Sequence, residues 1–587
     1  MNQSELAIGK LNAGCINSSH HETFEHEQQI RSLLETEKCG EYKRVHWVLF
    51  GWPGEHVCSY IQNYLPQESR LIVVELSKNL EVNVINSLQN KDNIFTSGLA
   101  DLYIADSIDE CAKAVSDDMD LENFETWRPL VLNDMKLVES KQLYQALGSF
   151  LNYKVVNRVT AKEHSLTFIK NAFINAVLTR PNFIKNIKEF GDQRPVLVVS
   201  PGPSLEKQLP ILKKYQDKFL LLVPSVAFKL LDQYEIKPDI VISVDVSNKK
   251  TWSDDAIGKS LVDICVNPNL LWSCRENLLT VTHSKPVYDL FKAMNLDIDY
   301  LPSGGSVATT AFSVAKLLDK NPIVFIGQDL AMSEKASYSK GFDNKYSQER
   351  LSKELANSYL VEGYYGEEVS CPKNLMMFKH WFEQEIKADP TRLVFNCTEG
   401  GAKITGAIQM PFSKLCEEIA CFDLDVPDYK NFPSAEINDA NTKIQEQITY
   451  LINAIRELIN QLCLADSKIE KLKFKNKKLA HKTISDTFKL LSNTRAQTRA
   501  VIDLFATKGI LELRHKHSIV GNQKHVDVFI SNKKNELTVI KDSLINAKTF
   551  LESLGEFMEF LHDGKCLEMR DVEKHLEYMQ KFEHVNK

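Results

Sequence analysis

Three short stretches carry residues that could hold or act on a ligand: Ser200-Pro-Gly-Pro-Ser204, Ser303-Gly-Gly-Ser306 and Gly327-Gln-Asp329. The first follows the apolar run "VLVV" and precedes a helical pattern. There Gly202 permits close backbone approach and Pro203 fixes the turn. Ser204 is placed as the helix N-cap, with Glu206 in the first turn. A helix N-terminus also offers N–H groups and a positive dipole end to a phosphate. Cap and anion site have the same sequence signature, so this stretch alone leaves both open. In the second stretch Ser303, Gly304 and Gly305 form a small-residue loop that opens a helix. Its backbone can wrap a nucleotide without side-chain interference. The third follows "PIVFI" and brings Gly327 and Asp329 to a strand end. Asp245, closing "DIVISVD", and Asp329 are candidates to accept a hydroxyl proton or to hold a ribose. Asp329 reads equally as a turn cap. Ser200 and Ser225 end two further apolar runs. Glu399, in the Gly-rich "TEGGAKITG", reads either as a ligand contact or as a loop carboxylate in water, and His283, after "LLTVT", reads as a structural histidine.

These residues need elements that bring them to one edge. Between 195 and 328 the runs "VLVVS", "FLLLVP", "DIVISV", "LVDICV", "LLTVT" and "PIVFIG" alternate with helical patterns. Near-continuous apolar strands separated by helices indicate a parallel sheet buried on both faces. Ligands of such sheets bind outside the strand C-termini, where the three stretches lie. Upstream, "RVHWVLFGWPGEHVCSYIQNYL" and "RLIVVELS" read as strand, turn, helix and strand, the last ending near Glu75, which a ribose hydroxyl would suit. Gly51-Trp-Pro-Gly54 matches the dinucleotide-binding glycine pattern poorly, so a structural role is expected for that region. Downstream, no glycine occurs between Gly406 and Gly509. Ile444, Ile448, Leu451, Ile455, Leu458 and Leu462 keep a helical period within 436–506. The expected class is therefore α/β, with a central Rossmann-like parallel-sheet domain at 161–430. An N-terminal α/β domain at 1–160 precedes it and an α-helical domain at 431–587 follows.

Composition removes several functions. A chain of 587 residues with net charge -7 has no basic excess for a nucleic-acid backbone. Its 12 cysteines include no C-x-x-C pair, and their scatter fits a reducing compartment better than a disulfide framework. No apolar run approaches the ~18 residues of a membrane span, and no charged-then-apolar leader opens the chain. A cytoplasmic protein without membrane insertion is expected. The strand ends carry no D-x-D clamp and no clustered His/Cys ligands, so no metal site and no required cofactor are expected. The basic run "KIEKLKFKNKKLAHK" at 468–482 reads as a solvated helix face or as a docking surface for an acidic partner.

The ordered stretches "GPSL", "YEIKPDIVISVDVS", "GGSVATTAFSVAKLL", "IVFIGQDLAM", "YYGEEV" and "NCTEGGAKITGA" resemble the motility accessory factor (Maf) family of flagellin glycosyltransferases. The resemblance is specific over about 190–410 and loose over the whole three-part layout. It implies transfer of a nonulosonic acid, pseudaminic or legionaminic, from its CMP-activated form to Ser/Thr of flagellin. The central region is also similar to bacterial sialyltransferases that use CMP-sialic acid. That similarity implies CMP contacts at Ser200, Gly202, Ser204, Ser303 and Gly304. It places Ser225 where those enzymes carry an asparagine and Tyr338 near the donor phosphate. Their catalytic histidine has no counterpart, and "SEKASYSKG" after "GQDLAM" lacks the histidine found in many Maf proteins.

Two alternatives stand beside this reading. A pterin diphosphokinase family shares this kind of domain and would use ATP and magnesium, although no Walker-type glycine-lysine loop is present. A non-catalytic flagellin-binding module would use its helical C-terminal region. On the transferase reading, the helical region recognises the protein acceptor, and Gly304→Val abolishes CMP binding without unfolding the protein.

Overall fold

The computed structural model describes residues 15–16, 46–50, 70–76, 100–105, 107–118, 127–132, 137–179, 193–245, 252–253, 257–275, 278–296, 298–317, 321–332, 355, 358–422, 438–473, 475–519 and 526–562. The chain forms two compact units, 1–159 with 514–522 and 160–513 with 523–587.

The first unit holds a parallel sheet of strands β1 (Cys15–Ile16), β2 (His46–Phe50), β3 (Arg70–Leu76), β4 (Ala100–Ala105) and β5 (Trp127–Leu132). Their order is β1-β5-β2-β3-β4. Leu71 to Val74 are buried in succession, as expected of a strand covered on both faces. Helix α1 (Ile108–Asp118) buries Cys111, Ala112 and Val115. The loop Gly51–Gly54, Tyr338 and the side chain of Glu75 lie outside the described residues.

The second unit is built on a parallel sheet of eight strands among the described residues: β6 (Val196–Val199), β7 (Leu220–Pro224), β8 (Ile240–Ser243), β9 (Lys259–Asp263), β10 (Leu278–Val281), β11 (Ile323–Ile326), β14 (Val394–Asn396) and β15 (Ile408–Gln409). An antiparallel hairpin, β12 (Tyr359–Glu362) with β13 (Glu368–Cys371), stands outside it. The order is β10-β9-β8-β7-β6-β11-β14-β15. Each step from β6 to β10 adds a strand on one side. The chain then returns to lay β11 on the other side of β6, with Ile323 opposite Val196 and Ile326 opposite Val199. The order therefore reverses between β6 and β11, and the crevice at their C-terminal ends is the position where such sheets bind ligands.

Helices α2 (Leu137–Thr179), α3 (Leu205–Tyr215), α4 (Ser225–Gln233), α5 (Pro268–Ser273), α6 (Lys285–Ala293), α7 (Val307–Leu317), α8 (Lys373–Ala388) and α9 (Phe412–Ala420) accompany these strands. On one face, Leu197, Val199, Leu221 and Val223 pack with Leu205, Leu209 and Phe412. On the other, Val196, Val198, Phe325 and Ile323 pack with Phe312 and Phe382. Both faces of β6 and β11 are thus dry, which fixes their register and the loops that leave them.

Four long helices follow: α10 (Asn438–Leu472), α11 (Lys477–Ser492), α12 (Ala496–Ile519) and α13 (Val526–His562). The predicted helical stretch 436–506 is interrupted twice. Asn476 caps α11 by accepting from Leu479 N, and a second break separates α11 from α12. These helices share one apolar core with the α/β part. Phe173 of α2 lies 6.0 Å from Phe291 of α6 and 6.3 Å from Phe550 of α13. Among the described residues no helix is long and apolar enough to cross a membrane.

Candidate functional site

The crevice at the reversal of strand order contains a cavity of about 300 Å³, at the low end of small-ligand sites. Ser200, Gly202, Gly327 and Asp329 line it from the ends of β6 and β11. Ser306, Val307 and Ala308 line it from the N-terminus of α7, and Asn374 and Phe378 from α8. Val307 and Ala308 are first-turn residues, whose N–H groups have no acceptor within their own helix.

The turn after β6 is shaped by the protein's own groups. Gly202 N donates to Gly327 O at 2.9 Å. A Cβ on Gly202 would overlap the Asp329 carboxylate and the Gly327 carbonyl, and one on Gly327 would overlap Ser200 O. Ser204 differs from the predicted cap: it has helical dihedrals and makes no side-chain cap bond. Its N–H and its hydroxyl instead donate to Asp329 Oδ2, at 3.2 and 2.8 Å. The anion at the start of α3 is therefore an internal carboxylate.

Asp329 is 8% exposed. Burial raises its carboxyl above the ordinary value, opposed by the two Ser204 bonds and by Lys207. Its backbone is held tightly as well. Asp329 O accepts from Ala402 N at 2.7 Å, and a Cβ on Gly401 would overlap that carbonyl. Next to it Leu330 has φ 50°, and across from it Glu399 has φ 55°. Positive φ at two non-glycine residues stores strain beside the cavity. Gln208, not singled out by the sequence, ties the loops together from α3. Its Oε1 accepts from Gly327 N at 3.2 Å and its Nε2 donates to Thr398 O at 2.9 Å. Ser200 Oγ donates to Gln328 Oε1 at 2.5 Å.

The Ser303–Ser306 loop is internally satisfied. Thr309 Oγ1 accepts from Gly304 N and Ser306 N, at 3.0 and 3.1 Å, and donates to Ser306 O at 2.6 Å. Gly305 N, at φ 94°, donates to Ser303 Oγ at 3.2 Å. Of this loop Ser306 reaches the cavity; Ser303, Gly304 and Gly305 are not among the residues lining it. A Cβ on Gly304 would lie 2.5 Å from Trp381 Cγ. Valine there collides with the protein itself, so Gly304→Val does not report on a ligand as the sequence suggested. Thr309→Val is the cleaner probe. It removes the acceptor of two loop amides and is expected to cost about 1–3 kcal/mol, read by thermal melting.

The other predicted residues are dispersed. Ser225 is the buried first residue of α4, between the cavity-lining Pro224 and Val226. Asp245 is exposed two residues beyond β8. Glu399 Oε2 accepts from Phe412 N at 3.1 Å, capping α9, where a negative charge suits the helix dipole. His283, read as structural, pairs with Asp263, a residue the sequence reading passed over. Its Nδ1 lies 2.6 Å from Asp263 Oδ2. Strand ends were the signal that could have found both, since they close β9 and follow β10.

The family of 6-hydroxymethylpterin diphosphokinase MptE-like proteins matches residues 167–335. The chain is similar to the MAf glycosyltransferase from Magnetospirillum magneticum AMB-1, with 12% identity and a TM-score of 0.48, over 98% of this chain and 90% of that one. No curated protein is significantly similar to the chain.

Proposed function

We propose that this chain is a cytoplasmic glycosyltransferase that moves a nonulosonic acid, pseudaminic or legionaminic, from its CMP-activated donor to Ser/Thr of flagellin. The observation that carries the reading is the cavity at the β6/β11 reversal, which is lined both by a buried carboxylate, Asp329, and by the first turn of α7. The six ordered sequence motifs supply the substrate class.

Such a donor leaves CMP through an oxocarbenium-like state, so the departing phosphate must be stabilised and the acceptor hydroxyl deprotonated. The first-turn N–H groups of α7 are preorganised for the phosphate. Ser200 and Gln328 offer polar contacts to the nucleoside. Asp329, with one oxygen held by Ser204 and its carboxyl raised by burial, suits proton acceptance. Tyr338, Asp245, Ser225, Ser303 and Glu399 remain proposals from the sequence. The helices after 431 are assigned to the flagellin acceptor.

CMP at ~100 times its dissociation constant is expected to add ~2.7 kcal/mol of stability, visible as a raised melting temperature. Flagellin co-expressed with this protein and a CMP-sugar supply is expected to gain nonulosonate mass. An unmodified flagellin mass would overturn the transferase reading.

The match over 167–335 favours a second reading, ATP-dependent pyrophosphoryl transfer to a pterin. The two separate on one assay. The transferase is expected to prefer CMP over ATP and to survive EDTA. Activity lost to EDTA and restored by magnesium assigns the chain to the second reading.

A further inference from the structure

We propose that Asp263 and His283 form a positioning dyad that sets the shape of the Ser303–Ser306 loop, and through it the α7 end of the cavity. Asp263 closes β9 and is buried. Its Oδ1 accepts from Cys265 N at 2.7 Å, and its Oδ2 accepts from His283 N at 2.8 Å and meets His283 Nδ1 at 2.6 Å. The carboxylate can only accept, so it holds the proton on Nδ1 and fixes the ring plane. The far nitrogen, Nε2, lies 2.9 Å from Thr310 Oγ1 in α7.

Carboxylate, imidazole and hydroxyl in this order have the layout of a nucleophile triad. Burial decides against that role. Thr310 has no exposed surface, so no substrate atom reaches its oxygen. What it does reach is the loop: Thr310 Oγ1 is 3.3 Å from Ser303 Oγ, which accepts from Gly305 N at 3.2 Å.

The polarity of the chain follows from proton counting. With the proton held on Nδ1, Nε2 of the neutral ring presents a lone pair and takes the Thr310 proton. Of the acceptors near the Thr310 hydroxyl, Nε2 at 2.9 Å is closer than Ser303 Oγ at 3.3 Å or Ser306 O at 3.4 Å; Ser303 Oγ in turn accepts from Gly305 N and has the Thr309 hydroxyl at 3.1 Å. The neutral ring thus turns a donor to the Asp263 carboxylate and an acceptor to Thr310, whose oxygen stays against Ser303 of the loop. Just before the loop, Leu301 N donates to Thr282 O at 3.0 Å, which ties its start to the end of β10; the dyad adds a side-chain tie to the loop itself. Ser306, Val307 and Ala308, which follow it directly, line the cavity.

The inference rests on the reading of that cavity as the CMP site, and its test separates the two. His283→Asn keeps a donor for Asp263 but cannot span to Thr310, whereas His283→Gln reaches Thr310. His283→Asn and Thr310→Val are expected to weaken CMP binding about fivefold to tenfold. His283→Gln is expected to recover most of it, and the double variant His283→Asn/Thr310→Val to lose no more than either alone. Without ligand, hydrogen exchange of the 304–306 amides should rise in the same two variants and fall back in His283→Gln. The nitrogen-15 imidazole spectrum in slightly alkaline buffer should show His283 as the Nδ1–H tautomer. Wild-type protein that does not bind CMP removes the donor reading and leaves the dyad to the exchange and tautomer measurements. Unchanged exchange in His283→Asn, equal damage by His283→Gln, or an Nε2–H ring overturns the dyad.

Discussion

Asp329→Asn is expected to reduce transfer by about 10²- to 10⁴-fold, the range for a lost general base, while leaving the protein as stable as the wild type, or more so, at neutral pH. The two effects have one origin. Burial raises the Asp329 carboxyl above its unfolded value, so the folded state favours the protonated form. The stabilisation from this group is fully present below the unfolded value and is lost as pH rises through the folded one. At neutral pH the ionised side chain is therefore a cost that the neutral amide removes. Asparagine oxygen still accepts from Ser204 N and Oγ, so the turn keeps its shape. Melting temperature against pH should accordingly show a gain of the variant over the wild type that appears above the acid range and is absent below it. Asp329→Ala behaves differently, because it strands the buried Ser204 N–H and is expected to lose about 1–3 kcal/mol. Transfer by Asp329→Asn within threefold of wild type, measured as CMP release, would remove Asp329 from the chemistry.

Gly202→Ala is expected to distort the cavity floor. The added methyl overlaps both a carboxylate and a backbone carbonyl. The side chain can swing away, but only by breaking the Ser204 contact; the carbonyl cannot move without shifting Gly327. Overpacking of this kind costs about 1–3 kcal/mol, and the upper end is expected here because one neighbour is backbone. CMP should then give no thermal shift even at saturation, since the crevice floor has moved. A variant that melts like the wild type and still responds to CMP would show that the turn tolerates a side chain and that the close approach of β6 and β11 loops is not required.

Much of this was legible in the sequence because the central strands are dry on both faces. The runs before Ser200, Ser225, Asp245 and Gly327 could be nothing but buried strands, and the loops that follow them fall at one sheet edge by topology alone. The apolar run "LVDICV" starts two residues after the start of the strand Lys259–Asp263 and ends three after its end, since Ile264 and Val266 are also buried but lie past it. What could not be read was pairing across the sheet. Gly202 looks like a ligand-facing glycine until Asp329, more than a hundred residues away, is seen to fill the space beside it. Gly304 looks the same until Trp381 is seen. Asp263 and His283 each stand at a strand end in the sequence, but only the adjacency of β9 and β10 joins them. The partner of a glycine or a histidine is a long-range fact, and residue type does not encode it.

The strand order also sets a timetable for the newly made chain. Strands β6 to β10 pair in the sequence in which they leave the ribosome, but β6 keeps one edge open until β11 is made. Val196 and Ile323 are separated by roughly 6–25 s of synthesis at about 5–20 residues per second. Throughout that interval a four-residue apolar strand presents unpaired N–H and C=O groups, the template that other chains add to. The crevice between β6 and β11 is the seam that this late docking closes. A chain cut short between the two strands would carry a sheet that is half built, without its crevice and prone to pair with its own kind.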